Sequence, residues 1–155
     1  YIVLQQRMLV AAGNDDITSA ADIQNGDFKV ATQKGTTNYE LAVSLFGADK
    51  VDAYDQFDFA IAAVISGDAA ASIVDEVAGL GYMGANKDKV KLVGEGLQTD
   101  PLGFAFPEGS PLVDVVNQGL AEMKSSGKLQ EINDKFFSPG FTVSYDDIAD
   151  VTYDE

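Results

Sequence analysis

Hydroxyl and carboxylate side chains follow two apolar segments of strand length, and their spacing suits a small charged ligand. The first segment, residues 28–32, leads into Gly35, Thr36 and Thr37 and then into a helical pattern. Thr37 and Glu40 have the spacing of a capping box. A glycine turn before a helix directs backbone N–H groups and hydroxyls at one point, where the helix dipole favours an anion. The ordinary alternative is a capped helix after a strand, which recurs throughout α/β folds.

The second segment, residues 69–74, is short and apolar, as a buried parallel strand is. Asp75 comes directly after it. Ligands of open α/β sheets bind beyond the carboxyl ends of strands, so we predict that both strands lie parallel in one sheet with Thr36 near Asp75. Such a pair suits a zwitterion, with its carboxylate at the threonines and its ammonium at Asp75. The alternative role of Asp75 is the cap of a helix at residues 76–83.

Composition removes several kinds of chemistry. The chain has 155 residues, a formal net charge of −15, and neither cysteine nor histidine. These absences exclude disulfides, zinc sites built on cysteine or histidine, and Ser-His or Cys-His catalysis, so we expect no cofactor and no metal site. The acidity argues against a nucleic-acid partner, because phosphate contacts need basic residues. No apolar run reaches the length of a membrane span. Tyr1 opens directly on folded-type sequence, from which we expect a mature or trimmed chain.

The elements that would position these side chains alternate between strand and helix patterns. Strands are expected at residues 8–12, 28–32, 51–54, 69–74, 90–94 and 102–106. Helical patterns end at Gly26, Gly47, Gly67 and residue 83, and two more cover residues 111–126 and 128–137. Arg7, the sole arginine, precedes the first strand. It could hold a carboxylate bidentately, although a solvated charge is the commoner outcome.

The order of these elements, together with particular phrases, resembles the amino-acid-type periplasmic solute-binding proteins of ABC importers (family 3). The phrases are DIQNG at 22–26, QKGTT at 33–37, ISGD at 65–68, VDE at 74–76, VGEGL at 93–97, LGFAFPEGS at 102–110 and GKLQEI at 127–132. They stand in the family's order from about Tyr1 to Phe137. The chain departs from it at Ala70 and Ala71, where the family usually has valine or isoleucine, aspartate and alanine.

The resemblance implies an α/β, type II periplasmic binding fold with one complete lobe and an incomplete second one. The complete lobe would have a mixed, mainly parallel sheet. The implied parts are a hinge strand at 1–11, the ligand-binding lobe (lobe two) at 12–98, a hinge strand and the C-terminal helices of lobe one at 99–137, and an acidic tail at 138–155. The resemblance also implies that the family's N-terminal segment, which carries a carboxylate-clamping arginine and an aromatic wall, is missing from these 155 residues. Arg7 does not match that arginine.

The resemblance also implies the roles of the site residues. The corner of Gly35, Thr36 and Thr37 would hold the ligand α-carboxylate, and Asp75 its α-ammonium. Gln33 and Asn38 flank the corner and would touch the ligand side chain or the rim of the site. No residue is expected to be catalytic.

The implied function is non-catalytic binding of a polar amino acid or similar zwitterion, in the periplasm or at the cell surface, with the membrane subunits of an ABC importer as partners. Three alternatives stay open: the ligand domain of a sensor, a cyclohexadienyl dehydratase-like enzyme, and a truncated self-associating fragment that binds nothing. The enzyme would need an acid group from Asp75, Glu76 or Lys34.

We also expect a homodimer or higher assembly, because the apolar stripes of the two C-terminal helices lack most of the lobe-one sheet that would cover them. Exchange of the hinge strands at 8–12 and 102–106 between copies is a low-cost route to it. The stripes comprise Leu112, Val116, Leu120, Met123, Leu129, Ile132 and Phe136.

Overall fold

A single mixed sheet organises the computed structural model, which describes residues 1–137. Its strands are β1 (Ile2–Ala11), β2 (Val30–Gln33), β3 (Val51–Tyr54), β4 (Ala71–Asp75) and β5 (Val90–Leu102). Their order across the sheet is β3-β2-β4-β1-β5. Strand β2 pairs in parallel with β3 and β4, whereas β1 pairs antiparallel with β4 and β5. The mixed α/β sheet is confirmed. Its pairings in the described residues divide evenly between parallel and antiparallel, rather than being mainly parallel, because β1 enters between β4 and β5.

The helices follow the strands in the alternation that the sequence predicts. Two of their ends show how local chemistry sets the boundaries. The backbone N–H of Ser19 donates to the Asp22 carboxylate at 2.9 Å, which closes the start of the first helix. Gly67 adopts φ 86° and ψ 8°, a left-handed conformation that ends the third helix. The helices are α1 (Ala20–Asn25), α2 (Thr37–Phe46), α3 (Phe57–Ser66), α4 (Glu76–Ala85), α5 (Leu112–Ser125) and α6 (Lys128–Phe136), with a 3₁₀ turn at Ala48–Lys50.

Helices cover both faces of the sheet, and the alternation of side chains along each strand decides what each face buries. Met8 and Ile73 lie on the face that packs against α1 and α2. Leu9 and Val74 lie on the opposite face, against α3 and α4. Each such fully buried side chain contributes about 1.5–3 kcal/mol relative to exposure. The core therefore sits within the sheet and its four nearest helices.

Strand β5 differs from the prediction of separate strands at 90–94 and 102–106. It runs unbroken from Val90 to Leu102, and residues 103–106 lie outside any strand. Strand β1 begins at Ile2 rather than residue 8, so it pairs with both ends of β5, as far as the pair Ile2↔Leu102. Residues 94–97 fall at the register shift between Gln6 and Met8 and have no partner on β1, whereas pairing continues through Pro101. The proline is tolerated because β5 is an edge strand.

The two C-terminal helices lie outside this core. No residue of α5 or α6 is buried. Leu112 is 55% exposed and Phe136 is 43% exposed, and the other members of the predicted stripes are only partly buried. Over residues 1–137, no helix is long and apolar enough to cross a membrane. The predicted acidic tail at 138–155 lies outside the described residues, and the division of the chain into hinge and lobe segments stays a prediction.

Candidate functional site

The first turn of α2 forms the corner that the sequence predicts, with its cap one residue earlier than expected. Thr36 has extended backbone, and its hydroxyl oxygen accepts the backbone N–H of Tyr39 at 3.2 Å. The same hydroxyl donates to the carbonyl oxygen of Gln33 at 2.7 Å. The prediction that Thr37 caps the helix is therefore wrong, because Gly35, at φ 72°, turns the chain so that Thr36 reaches the cap position. Thr37 is the first helical residue, and its hydroxyl is available for other contacts.

The Thr37 hydroxyl contacts the predicted hinge strands. It donates to Oδ2 of Asp100 on β5 at 2.8 Å, and Nε2 of Gln6 on β1 donates to the same oxygen at 2.6 Å. The hydrogen bond from Thr37 lowers the pKa of Asp100, and the amides of Gln6 and Gln98 add to this effect, while desolvation opposes it. Asp100 is therefore an ionised acceptor beside the helix start at neutral pH.

Asp75 lies at the end of β4, beside the same turn of α2. Strands β2 and β4 are parallel neighbours with Val30 opposite Ala71, so the predicted arrangement of the two strands is confirmed. Asp75 occupies the cap position of α4, but its side chain makes no capping hydrogen bond. Its Oδ1 instead accepts Nδ2 of Asn38, which is 4% exposed, at 3.1 Å. The Asp75 carboxylate therefore contacts Asn38, in the first turn of α2, rather than the start of α4, the helix that follows it.

Several other charged candidates are engaged elsewhere. Arg7 donates to Glu76 at 2.8 Å and to the carbonyl oxygen of Gly94 at 2.6 Å. Because Arg7 is the neighbour of Gln6 along β1, its side chain leaves the opposite face of the sheet. Lys34 forms an ion pair with Asp55. The structure therefore brings Asp75, Asn38 and the threonine corner together and leaves Arg7, Glu76 and Lys34 outside that group.

Gln6 and Asp100 are members of the group that sequence reasoning missed. Gln6 is fully buried, and it lies opposite Asp75 on β4 and opposite Gln98 on β5. The only signal in the sequence was a glutamine inside a strand that becomes apolar after it, and this does not reveal a cross-strand partner. Predicting that Gln6 and Asp100 belong to the site would require knowledge of the register of β1 with both β4 and β5. Among the described residues, no group of three or more acidic side chains is arranged to hold a metal ion.

Comparisons with known proteins show which class of protein has this fold. Residues 1–139 match the family described as bacterial extracellular solute-binding proteins, family 3, and the chain belongs to that family. Among its relatives, the L-cystine-binding protein TcyA of Bacillus subtilis (strain 168) is 33% identical over 139 residues, which cover 88% of this chain and 50% of TcyA. The L-cystine-binding protein TcyJ of Escherichia coli (strain K12) is 31% identical over 145 residues, covering 92% of this chain and 53% of TcyJ.

Solved structures give the same result. An ancestral arginine-binding protein bound to glutamine superimposes with a TM-score of 0.75 at 32% identity, over 88% of this chain and 61% of that one. The ancestral amino acid-binding protein AncCDT-1, a precursor of cyclohexadienyl dehydratase, gives 0.75 at 32% identity, over 89% and 59%. The chain spans about half the length of the curated relatives it matches. It therefore has the type II periplasmic binding fold in incomplete form.

Proposed function

We propose that this chain is the ligand-binding lobe of an amino-acid receptor for an ABC importer, and that it binds a polar amino acid or similar zwitterion without transforming it. The observation that carries the proposal is the meeting of Asp75 with the first turn of α2, through the 3.1 Å contact to Asn38. A carboxylate and a set of hydroxyl and N–H donors then stand side by side. This pairing matches the two charged groups of an α-amino acid.

The roles follow from the chemistry of each group. The backbone N–H groups of the corner, from Gly35 to Thr37, and the Thr37 hydroxyl receive the ligand carboxylate, because the start of a helix carries unpaired donors and partial positive charge. The Thr36 hydroxyl caps the helix and donates to the Gln33 carbonyl oxygen. Asp75 receives the ammonium, and Asn38 orients the Asp75 carboxylate while standing at the rim with Gln33. Ligand entry must compete with Asp100 for the Thr37 hydroxyl.

A binding role is favoured over a dehydratase by where the acid groups stand. Glu76 is paired with Arg7, and Lys34 is paired with Asp55, so neither is poised over the corner. Asp75 is left as the one acid candidate of the three, and its contact with Asn38 suits an ammonium partner. Incubation with a cyclohexadienyl substrate is expected to give no product, and turnover that disappears in Asp75→Asn would establish the enzyme instead.

Native mass spectrometry of the intact chain, followed by calorimetric titration with the standard amino acids, tests the binding proposal. We expect a carried or added amino acid to raise the mass by its own mass, with the strongest heat signal from polar ligands. Absence of binding to every amino acid would contradict the proposal. Periplasmic or cell-surface location and contact with importer membrane subunits are parts of the same proposal. A sensor role would be shown by the gene joining this lobe to a membrane helix and a kinase.

Self-association through the C-terminal helices is a separate proposal. It is supported by the lack of buried residues in α5 and α6, and by the exposure of the apolar side chains of Val3 and Leu112. A groove of about 660 Å³ between the start of β1 and these helices, lined in part by Leu129 and Phe137, gives a second copy room to pack. Exchange of β1 between copies is one route. Light scattering that gives a monomer mass at micromolar concentration would contradict this proposal.

A further inference from the structure

We propose that Asp100 is a specificity-determining residue that favours amino acids with an additional cationic group and disfavours anionic ones. The inference rests on the proposed function and concerns the same corner of the fold. It starts from the contact of Asp100 with Thr37, the residue assigned to the ligand carboxylate.

The two carboxylates of the site are held by consecutive residues of α2. Asp75 accepts from Asn38 at 3.1 Å, and Asp100 accepts from Thr37 at 2.8 Å. Gln6 stands between them, because it is the cross-strand partner of Asp75 and donates to Asp100 at 2.6 Å. Since Thr37 and Asn38 are consecutive residues, whose Cα atoms are about 3.8 Å apart, both carboxylates stand at the same turn of α2. A ligand seated at the corner is close to both.

The charges at this corner are unbalanced. None of the ion pairs formed within residues 1–137 includes Asp75 or Asp100. The nearby cations are directed elsewhere, since Arg7 pairs with Glu76 and Lys34 pairs with Asp55. A zwitterion brings one positive and one negative charge, so it leaves the excess of two negative charges unchanged. A ligand with a second cationic group reduces that excess, and one with a second carboxylate increases it.

The Gln6 carbonyl oxygen is a second, independent polar feature of this corner that favours a donor group nearby. Gln6 is fully buried, and its Oε1 has no hydrogen-bond partner among the described residues. The amide cannot turn over to satisfy this atom, because Oε1 would then face the Asp100 carboxylate in place of Nε2. A buried acceptor without a partner is costly, so an N–H group that reaches it is favoured. The unpaired Gln6 oxygen is a hydrogen-bond acceptor, and the charged groups near it, Asp75 and Asp100, are acceptors as well.

Calorimetric titration of the full chain with two isosteric ligand pairs tests the inference. The pairs are L-arginine with neutral L-citrulline, and L-glutamine with anionic L-glutamate, at one pH and one ionic strength. The wild-type chain should prefer arginine within the first pair and glutamine within the second. Asp100→Asn keeps the shape and removes the charge, so each preference should fall by about fivefold, as expected for the loss of one charge in a partly screened site.

The matched control is Asp16→Asn, which removes one charge from an exposed loop beyond the far end of β1 and should leave both preferences unchanged. Asp100→Glu keeps the charge and should retain them. Binding of all four ligands with preferences equal in the wild type and Asp100→Asn overturns the inference and leaves the proposed function standing. Where Asp100→Asn does not fold, a wild-type preference for glutamate over glutamine, or for citrulline over arginine, overturns it. Absence of binding by all four overturns both.

Discussion

Replacing Asp75 with asparagine separates the ligand role of this carboxylate from its place in the fold. Asparagine has the same shape and keeps an oxygen that can accept Nδ2 of Asn38, the contact made at 3.1 Å in the structure. Asparagine also caps helices about as well as aspartate, and the Asp75 side chain makes no capping bond. The free energy of unfolding should therefore change little. The affinity for an amino acid should fall, because the ligand ammonium loses a charge-assisted bond of about 1.5–3 kcal/mol, or roughly 10- to 150-fold in Kd.

Isothermal titration calorimetry with the tightest-binding amino acid measures this loss, and circular dichroism checks that each variant is folded. Arg7→Ala is the comparison, because Arg7 also carries charge close to α4 but leaves the opposite face of β1 to pair with Glu76. It should lower stability through the lost pair and leave affinity nearly unchanged. Equal losses of affinity in the two variants would refute the assignment of Asp75, since a general effect of charge or stability would then explain both.

Three further predictions concern the elements around the site. Thr36→Ala should lower the free energy of unfolding by about 1 kcal/mol in urea, because Thr36 caps α2; an equal loss in Thr37→Ala would contradict this. Burial and the nearby Asp58 carboxylate raise the pKa of Tyr82 from 10.0 to about 12, so its contribution to stability is complete below pH 10 and is lost towards pH 12. Absorbance titration should show one late tyrosinate that Tyr82→Phe removes. Gly67→Ala should cost about 1 kcal/mol, because φ is 86°, whereas Gly81→Ala, in the exposed interior of α4, should not destabilise.

Local patterns in the sequence were sufficient to predict the strand–helix units of the lobe. The apolar segment before Asp75 and the glycine turn before Thr36 each combine a strand with a helix start, and both units carry their own boundary signals. Their parallel pairing then follows from the usual way in which such units join in one sheet. The predicted position of the α2 cap was off by one residue because Thr36 and Thr37 are chemically equivalent as caps. Only the backbone turn at Gly35 decides between them.

The rest of the site depends on pairing between distant parts of the chain. Gln6 and Asp100 are 94 residues apart, and neither has a neighbouring motif that indicates a contact. Their meeting requires the antiparallel pairing of β1 and β5, with its shift in register between Gln6 and Met8. A one-residue slip of β1 would move Gln6 to the other face and bring Arg7 under the corner. The charge of the candidate site is thus set by register, which composition and periodicity do not determine.

The same pairing connects ligand binding to the strands that the family resemblance assigns to the hinge. Thr37 belongs to the helix that is proposed to receive the ligand, and Asp100 and Gln6 belong to the two predicted hinge strands. A ligand carboxylate that takes the Thr37 hydroxyl must displace or share the Asp100 contact, so binding changes the interaction between α2 and β5. Equilibria of this kind shift only by the difference in interaction free energy between the two states. Under the proposed function, Asp100 therefore influences which ligands bind and also how strongly ligand binding changes the predicted hinge strands.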